Sequence, residues 1–400
     1  MGVAGNMRFL RKLLGCVNTV TEYFVSVLFV LMVVVVFLQV IFRFLLHASL
    51  PWSKELSRYI LVWLSFLGVA IIACIFFGAI SGSAVACVAA IGTILIPSMV
   101  RRGYDAPFST AVQACAGTLG VMIPPSIPMI IYGVMTGVTI GGLFMGGILP
   151  GFCVGGSLMI VAWIIARKRG YKGDEKPCAA HIWTTFKDAI LALLMPAIIL
   201  GGIYGGVFTP TEAAVVAVVY GFVIGFFVYK ELHFRDLKEI LVNSVVGTAM
   251  IMFIIATSSV FSWILTAQKI PQSVAESILS FSRNPVIVMF LINVLLLFIG
   301  TFMETVASII ILVPVLLPVI TQLGIDPLHF GVLIVVNLAV GMVTPPLGVC
   351  LFMGCRIGNV SLEEITRAAW PFIMVMILDI FILAYVPWIS TVLPKLAGLY

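Results

Sequence analysis

Long apolar runs, separated by short polar breaks, make up most of this chain. Most of these runs are long enough for a helix that crosses a hydrocarbon core, which needs about 20 apolar residues. The pattern therefore predicts an all-α polytopic membrane protein. The predicted helices cover residues 20–45, 57–77, 83–99, 106–123 with 126–141, 143–166, 188–208, 212–229, 239–266, 286–300, 305–320, 328–343 with 347–355, and 369–390.

Composition and charge support the same class of protein. Of the 400 residues, 62% are hydrophobic and only 10% are charged, whereas soluble domains carry about 25% charged residues. The net charge of +6 comes largely from short loops, where basic residues orient helices in the membrane. We therefore expect a lipid bilayer around the chain and no nucleic acid as a partner. No cluster of His, Asp and Glu lies within the predicted helices, so we expect neither enzyme activity nor a cofactor.

One motif occurs twice within the apolar runs. Gly-Val-Met-Ile-Pro-Pro at 120–125 recurs as Gly-Met-Val-Thr-Pro-Pro at 341–346, and 341 − 120 gives an offset of 221 residues. Proline removes an amide donor and stops continuous helical hydrogen bonding, while Gly120 and Gly341 would allow close backbone approach or unusual φ. The motif predicts two discontinuous helices, a pointer to the binding site of a secondary transporter. The alternative is a pair of proline kinks in ordinary helices.

A polar break also precedes each copy of this motif. Ile-Ser-Gly-Ser-Ala at 80–84 interrupts the first apolar half, and Gly-Thr-Phe-Met-Glu-Thr at 300–305 interrupts the second. Such breaks are tolerated at membrane depth only when they are buried in protein or line a cavity. We predict that both are tips of re-entrant hairpins that face the Gly-Pro breaks.

Loop charges predict how the two halves are oriented. Arg101, Arg102 and the basic stretches 167–176 and 230–238 should be cytoplasmic by the positive-inside tendency. Counted from these loops, five crossings separate the equivalent turns at 103–105 and 324–326. An odd number of crossings means that the two halves form inverted repeats, and we predict that arrangement.

An unwound helix exposes carbonyl oxygens before the break and N–H groups after it. Carbonyl and hydroxyl oxygens together form a hard cage suited to Na⁺, the predicted coupling ion. The half-helices after the breaks would point their positive ends at an anionic substrate group. The candidate ion ligands are Ser81, Ser83, Gly120, Ile123 and Pro125 at the first break, and Gly300, Thr301, Thr305, Gly341 and Thr344 at the second; the candidate substrate residues are Ser126, Glu304 and Pro346.

The carboxylates within or beside apolar runs need separate interpretation. Glu304 is a candidate functional group because ionisable residues are costly in a membrane, but it could instead close the hairpin tip by hydrogen bonds. For Asp379, packing or pairing with a neighbouring helix is favoured over transport. Asp105 and Asp326 are predicted to cap the helices that follow them.

Four stretches carry a family resemblance: 76–86, 117–126, 205–214 and 343–348. From about residue 68 onwards, the chain resembles the large membrane subunit of the tripartite ATP-independent periplasmic (TRAP) transporters. The resemblance implies an elevator-type transport domain in which two hairpins and two broken helices form Na⁺ and substrate sites. It also implies a bacterial inner-membrane location and a periplasmic binding protein that delivers a C4-dicarboxylate, a keto acid or a sialic acid.

The first 67 residues are similar to the small subunit of the same family, through the stretch 51–63. We therefore divide the chain into a small-subunit-like segment (1–67), a first, incomplete inverted repeat (68–178) and a second repeat (179–400). A separate small membrane subunit is a further possible partner. Because segments that normally precede the first hairpin are missing from this pattern, the alternative function is an internally deleted, transport-inactive membrane fragment or scaffold.

Overall fold

The computed structural model describes residues 68–171, 179–270 and 284–399, together with Ser273, Glu276 and Ser282. The predicted helix at 20–45 and most of the one at 57–77 lie outside these residues. The first unit contains α1 (Gly68–Ser81), α2 (Ala84–Arg101), α3 (Ala106–Gly117), α4 (Leu119–Met122), α5 (Ile127–Thr136) and α6 (Ile140–Arg169). Then follow α7 (Ala179–Tyr204), α8 (Pro210–Val223), α9 (Phe234–Ala267), α10 (Pro285–Gly300), α11 (Thr305–Gln322), α12 (Pro327–Gly341), α13 (Val349–Gly358), α14 (Leu362–Tyr385) and α15 (Trp388–Leu396).

The described part of the chain contains helices and no strand. Seven helical stretches in it are long and apolar enough to cross a membrane: Ala84–Arg101, Ala106–Thr136, Ile140–Arg169, Pro210–Val228, Phe234–Thr257, Thr305–Gln322 and Leu362–Tyr385. The prediction of an all-α, multi-pass membrane protein is therefore confirmed.

Local capping explains where several helices begin. Thr209 forms a capping box with Glu212 at the start of α8, and the Asp326 carboxylate accepts a hydrogen bond from the amide of Leu328 at 2.8 Å. The predicted cap at Asp326 is confirmed. The predicted cap at Asp105 is wrong, because its carboxylate pairs with Arg169 at the end of α6 and makes no cap hydrogen bond.

The C-terminal helices differ from the prediction of one helix over 369–390. The chain forms α14 from Leu362, and α15 begins at Trp388. The earlier start comes from a capping box in which the Ser361 hydroxyl and Glu364 satisfy each other's amides. The apolar run alone did not reveal it, because the first turn of α14 is polar. Pro387 lies at the boundary between the two helices, where its missing N–H favours a new start.

The core surrounds α12, in which every residue from Leu328 to Gly341 is buried. Helices α10, α11, α14 and α6 pack against it, and so do α4 and α5. In the first unit, the counterpart of α12 is α3. Its residues Phe108 to Gly117 are buried, and it packs against α2, α13 and α14. The two segments that precede the Gly-Pro motifs therefore form the interior of the molecule.

The long helix α6 separates two turns that share the 221-residue offset. It has 30 residues, or about 45 Å at 1.5 Å per residue. Its last residue, Arg169, pairs with Asp105 in the first turn. Near its other end, a Cβ built on Gly142 would lie 2.9 Å from Cδ1 of Leu328, just after the second turn. The two turns therefore lie at opposite ends of α6.

Candidate functional site

The first Gly-Pro motif interrupts its helix. The helix α4 ends at Met122 and α5 begins at Ile127, with a cis peptide bond between Pro124 and Pro125. The Ser126 hydroxyl caps α5: it donates to the carbonyl of Val121 at 2.6 Å and accepts from the amide of Met129 at 3.4 Å. Residues 123–126 therefore form a non-helical link between two helical segments.

The second motif interrupts its helix in a longer link. The helix α12 ends at Gly341 and α13 begins at Val349, and the Pro345–Pro346 bond is also cis. The Thr344 hydroxyl donates to the carbonyl of Val340 at 2.8 Å. The interpretation of both motifs as mere kinks in continuous helices is therefore wrong.

The first predicted tip lies against the first break. A Cβ built on Gly78 of α1 would lie 2.7 Å from Cα of Gly120, and one built on Gly120 would lie 2.9 Å from the carbonyl oxygen of Ser83. A Cβ on Gly82 would lie 2.9 Å from the carbonyl oxygen of Pro125. The backbone of the 81–83 turn therefore touches the backbone of the break. This close approach requires glycine, because any side chain would separate the two segments.

The second tip repeats this contact. A Cβ built on Gly341 would lie 2.5 Å from both Cα and C of Gly300, so α10 and α12 also meet backbone to backbone. The Thr305 hydroxyl donates to Sδ of Met342 at 3.2 Å, and the Thr301 hydroxyl donates to the carbonyl of Phe298 at 2.7 Å. The structure therefore places the 300–305 tip against the end of α12, where the candidate residues Gly300 and Gly341 are in contact.

Helix ends give each contact a defined polarity. At the second contact, α10 ends at Gly300 and α12 ends at Gly341, so two negative helix ends converge there. At the first contact, α1 ends at Ser81 and α4 ends at Met122, so negative helix ends meet there as well. Beside them α2 and α5 begin close together, since a Cβ on Gly82 would lie 3.3 Å from the amide nitrogen of Ile127. Convergent carbonyl ends favour a cation, and convergent amide ends favour an anion.

The two breaks belong to one packed region. The helix α12 packs against α4 and α5, and α11 packs against α5. Conversely, α13, which follows the second break, packs against α2 and α3 of the first unit. Each half-helix after a break therefore contacts the other unit.

Most candidate side chains already satisfy local backbone groups. The Ser83 hydroxyl caps α2 by accepting from the amide of Ala86 at 3.4 Å. The Glu304 carboxylate caps α11 by accepting from the amides of Val306 at 2.8 Å and Ala307 at 3.2 Å. This cap is the structural alternative considered for Glu304. Ser81, Ser83 and Pro125 are half-buried, and Pro346 is exposed, so both breaks present atoms at the surface of the packed region.

Two buried polar residues near the second break were missed from the sequence. The side-chain amide of Asn337 in α12 donates to Oδ1 of Asn293 in α10 at 2.7 Å. Both residues are fully buried. The available signal was an asparagine in each of two otherwise apolar runs, since polar residues in membrane helices pair across helix interfaces.

For Asp379, the structure agrees with pairing between neighbouring helices. Its carboxylate in α14 contacts the hydroxyl of Ser157 in α6. Asp379 is buried, and it belongs to neither break.

Comparison with known proteins identifies related sequences. A family model described as "Tripartite ATP-independent periplasmic transporter, DctM component" matches residues 66–389, and the model of the DctQ component matches residues 32–74. Both matches agree with the resemblance inferred from the sequence, and the small-subunit-like match is partial.

Three relatives are informative. The isethionate TRAP transporter permease protein DctMQ of Oleidesulfovibrio alaskensis is 45% identical over 319 residues, which are 78% of this chain and 50% of that protein. The C4-dicarboxylate large permease DctM of Rhodobacter capsulatus is 40% identical over 352 residues (84% and 80%), and the sialic acid large permease SiaM of Vibrio cholerae is 38% identical over 326 residues (82% and 76%). The chain therefore spans half the length of the first relative and most of the other two.

Among solved structures, the Alcanivorax borkumensis YdaH transporter is similar with a TM-score of 0.48 and 17% sequence identity, over 81% of this chain and 86% of that chain. The relatives described above are named as transporter permeases rather than enzymes. The family match and the names of these three relatives do not favour the alternative of a transport-inactive membrane fragment or scaffold.

Proposed function

Because this chain belongs to the DctM component family of the tripartite ATP-independent periplasmic transporters, we propose that it is a permease that carries organic acid anions across the bacterial inner membrane. Transport is a secondary uptake driven by Na⁺. A periplasmic binding protein delivers the substrate, and a small membrane subunit completes the complex. The names of the relatives support the substrate class, since they include C4-dicarboxylate and sialic acid permeases.

The observation that carries this proposal is the paired backbone contact between tips and breaks. Gly78 meets Gly120 in the first unit, and Gly300 meets Gly341 in the second. Glycine at a helix interface lets two backbones approach closely, and both of these contacts lie at or near helix ends. Discontinuous helices whose ends converge in the protein interior are typical of secondary transporters.

Inverted repeats with re-entrant hairpins are part of the proposal. The turns at 103–105 and 324–326 lie near opposite ends of α6, as two units with opposite orientation require. Positive loop charge on one side supports the same arrangement. In this arrangement the 81–83 tip enters from the cytoplasm and the 300–305 tip enters from the periplasm.

Na⁺ is proposed to bind where carbonyl ends converge. Hard cations take oxygen ligands, which the backbone around Gly120, Ile123 and Pro125 supplies with the hydroxyls of Ser81 and Ser83. At the second site, the backbone of Gly300 and Gly341 is joined by the hydroxyls of Thr301, Thr305 and Thr344. All of these residues lie within the tips and breaks described above.

The substrate is proposed to bind at the amide ends that follow the breaks, near Ser126 and Pro346. A carboxylate at Glu304 repels an organic acid's own carboxylate, so its contact with substrate would be to a hydroxyl or amine. Its capping of α11 is compatible with this role.

The test is uptake into proteoliposomes that contain the purified permease, its small subunit and its binding protein. Candidate substrates are a C4-dicarboxylate, a keto acid, a sialic acid and isethionate, each offered with an inward gradient of Na⁺ or of K⁺. We expect accumulation of one class only under the Na⁺ gradient. Equal accumulation under both gradients would exclude Na⁺ coupling, and absence of uptake for all four would exclude the substrate class.

A further inference from the structure

A buried pair of carboxamides joins α10 to α12 near the second glycine contact. Asn337 lies four residues before Gly341, and Asn293 lies seven residues before Gly300. These spacings place each asparagine on the same helix face as its glycine, because residues four or seven apart align in an α-helix. The asparagine pair and the glycine pair are therefore two contacts along one helix–helix interface.

The donor and acceptor roles in this pair are fixed. The side-chain amide of Asn337 donates to Oδ1 of Asn293 at 2.7 Å and lies 3.3 Å from the backbone oxygen of Asn293. The side-chain amide of Asn293 donates in turn to the carbonyl of Met289 at 2.8 Å. Turning the Asn337 amide around would place its oxygen against two acceptors, so only one orientation fits.

This arrangement stabilises the folded protein less than a pair of apolar residues would. Oδ1 of Asn337 is buried and finds no hydrogen-bond partner among the described residues. A buried acceptor without a partner destabilises a protein, whereas apolar residues of similar shape in both positions would avoid that loss. The benefit of the pair must therefore lie elsewhere. Paired polar residues in an apolar interface are known to fix the register between helices.

We propose that Asn293 and Asn337 are positioning residues that set the register of α10 on α12 and thereby hold the second ion site in shape. A slip of either helix would move Gly300 off Gly341 and separate the carbonyl ends that converge there. This inference rests on the proposed Na⁺ coupling, because the site that it serves is the second of the proposed ion sites.

The first unit contains a weaker version of the same link. The side-chain amide of Gln113 in α3 donates to Sγ of Cys74 in α1 at 3.0 Å, and Oε1 of Gln113 is likewise buried without a partner among the described residues. A thiol sulfur is a weak acceptor, so this bond fixes register less strongly. Gln113→Leu is therefore a matched control, which removes a buried carboxamide from the other unit.

The test separates positioning from folding by a double substitution. In Asn293→Leu/Asn337→Leu, both partners become apolar, so we expect the thermal unfolding midpoint without Na⁺ to match or exceed that of the unsubstituted protein. We expect its Na⁺ Kd to rise about tenfold, as for loss of groups that orient ion ligands. The Kd is read from unfolding midpoints of purified protein in NaCl, with choline chloride added to constant ionic strength. Gln113→Leu should change the Kd by less than the double variant does.

Outcomes for the two proposals are distinguishable. If the unsubstituted protein gains no stability from Na⁺ over choline, the proposed coupling ion is wrong. If it gains stability and the folded double variant keeps the same Kd within a factor of about two, the positioning role is wrong. Should the double variant not fold, Asn337→Gln keeps the amide and lengthens its side chain by one methylene. Because both asparagines are fully buried, the longer side chain can keep the bond only if α12 shifts on α10. An unchanged Kd in that folded variant would therefore equally overturn the inference.

Discussion

Alanine in place of Gly341 tests the backbone contact between α10 and α12. A Cβ built there would lie 2.5 Å from Cα and C of Gly300 and 2.8 Å from its carbonyl oxygen. Non-bonded carbon atoms normally stay about 3.5–4.0 Å apart, so the two backbones must separate by roughly 1 Å. All three atoms belong to the backbone, and therefore no change of side-chain rotamer can relieve the overlap.

The cost of this separation follows from the burial of α12. Every residue from Leu328 to Gly341 is buried, so α12 cannot move without disturbing the helices around it. Extra methyl groups in a tight core destabilise a protein by about 1–3 kcal/mol. The loss of transport should be larger, since a misplacement of about 1 Å in a positioned site costs on the order of 100-fold in rate. We expect Gly341→Ala to fold, to unfold at lower temperature and to lose about 100-fold in uptake.

Gly156→Ala is the matched control, because a Cβ on Gly156 of α6 would have nothing within 4 Å. This substitution removes a glycine from a helix interior without a clash, which favours the helix by up to about 1 kcal/mol. Na⁺-driven uptake in proteoliposomes and thermal unfolding in detergent are measured for both variants. Equal uptake by Gly341→Ala and Gly156→Ala would refute the claim that the glycine contact shapes the transport site.

Four further substitutions test other parts of the structure. Ser81→Ala and Thr344→Ala each remove a hydroxyl from a proposed ion site, so the Na⁺ concentration for half-maximal uptake should rise; an unchanged value would remove that residue from the site. Tyr132→Phe deletes a 2.7 Å hydrogen bond from the tyrosine hydroxyl to the carbonyl of Pro327 in the first turn of α12. Compared with the unsubstituted protein, its free energy of unfolding should be lower by about 1 kcal/mol. Asp105→Asn breaks the ion pair with Arg169. The side chains of Asp105 and Arg169 are 56% and 43% exposed, so the free energy of unfolding should fall by less than about 1 kcal/mol, and by less still in high salt. A larger fall that does not depend on salt would contradict the assignment of this pair to the surface.

Much of the helical framework could be predicted, because membrane helices are recognisable from their length and apolar composition. The positions of both breaks could also be predicted from the sequence, since a Gly-Pro motif inside an apolar run has few other structural explanations. The start of α14 was missed because the Ser361–Glu364 capping box lies in a polar stretch, where hydropathy gives no signal. The role of Asp105 was missed because its partner, Arg169, lies 64 residues away.

The details of the site depend on helix rotation, which a single sequence does not specify. Gly120 and Gly341 are expected either to approach another backbone closely or to adopt an unusual φ. Neither of these two glycines has a positive φ. Close approach is what the structure uses, and the partners Gly78 and Gly300 became visible only in three dimensions. The Asn293–Asn337 bond likewise joins residues 44 apart, which no local pattern connects.

The two tips differ in one position that the repeat makes equivalent. Ser83 and Glu304 are separated by 304 − 83 = 221 residues, and each caps the helix that follows it. A carboxylate cancels much of the positive end of α11, whereas a neutral hydroxyl leaves the positive end of α2 available. The amide end of α2 also lies beside that of α5 at Ile127. Under the proposed function, the organic anion should therefore bind closer to the first tip, while Glu304 adds negative potential for a cation at the second.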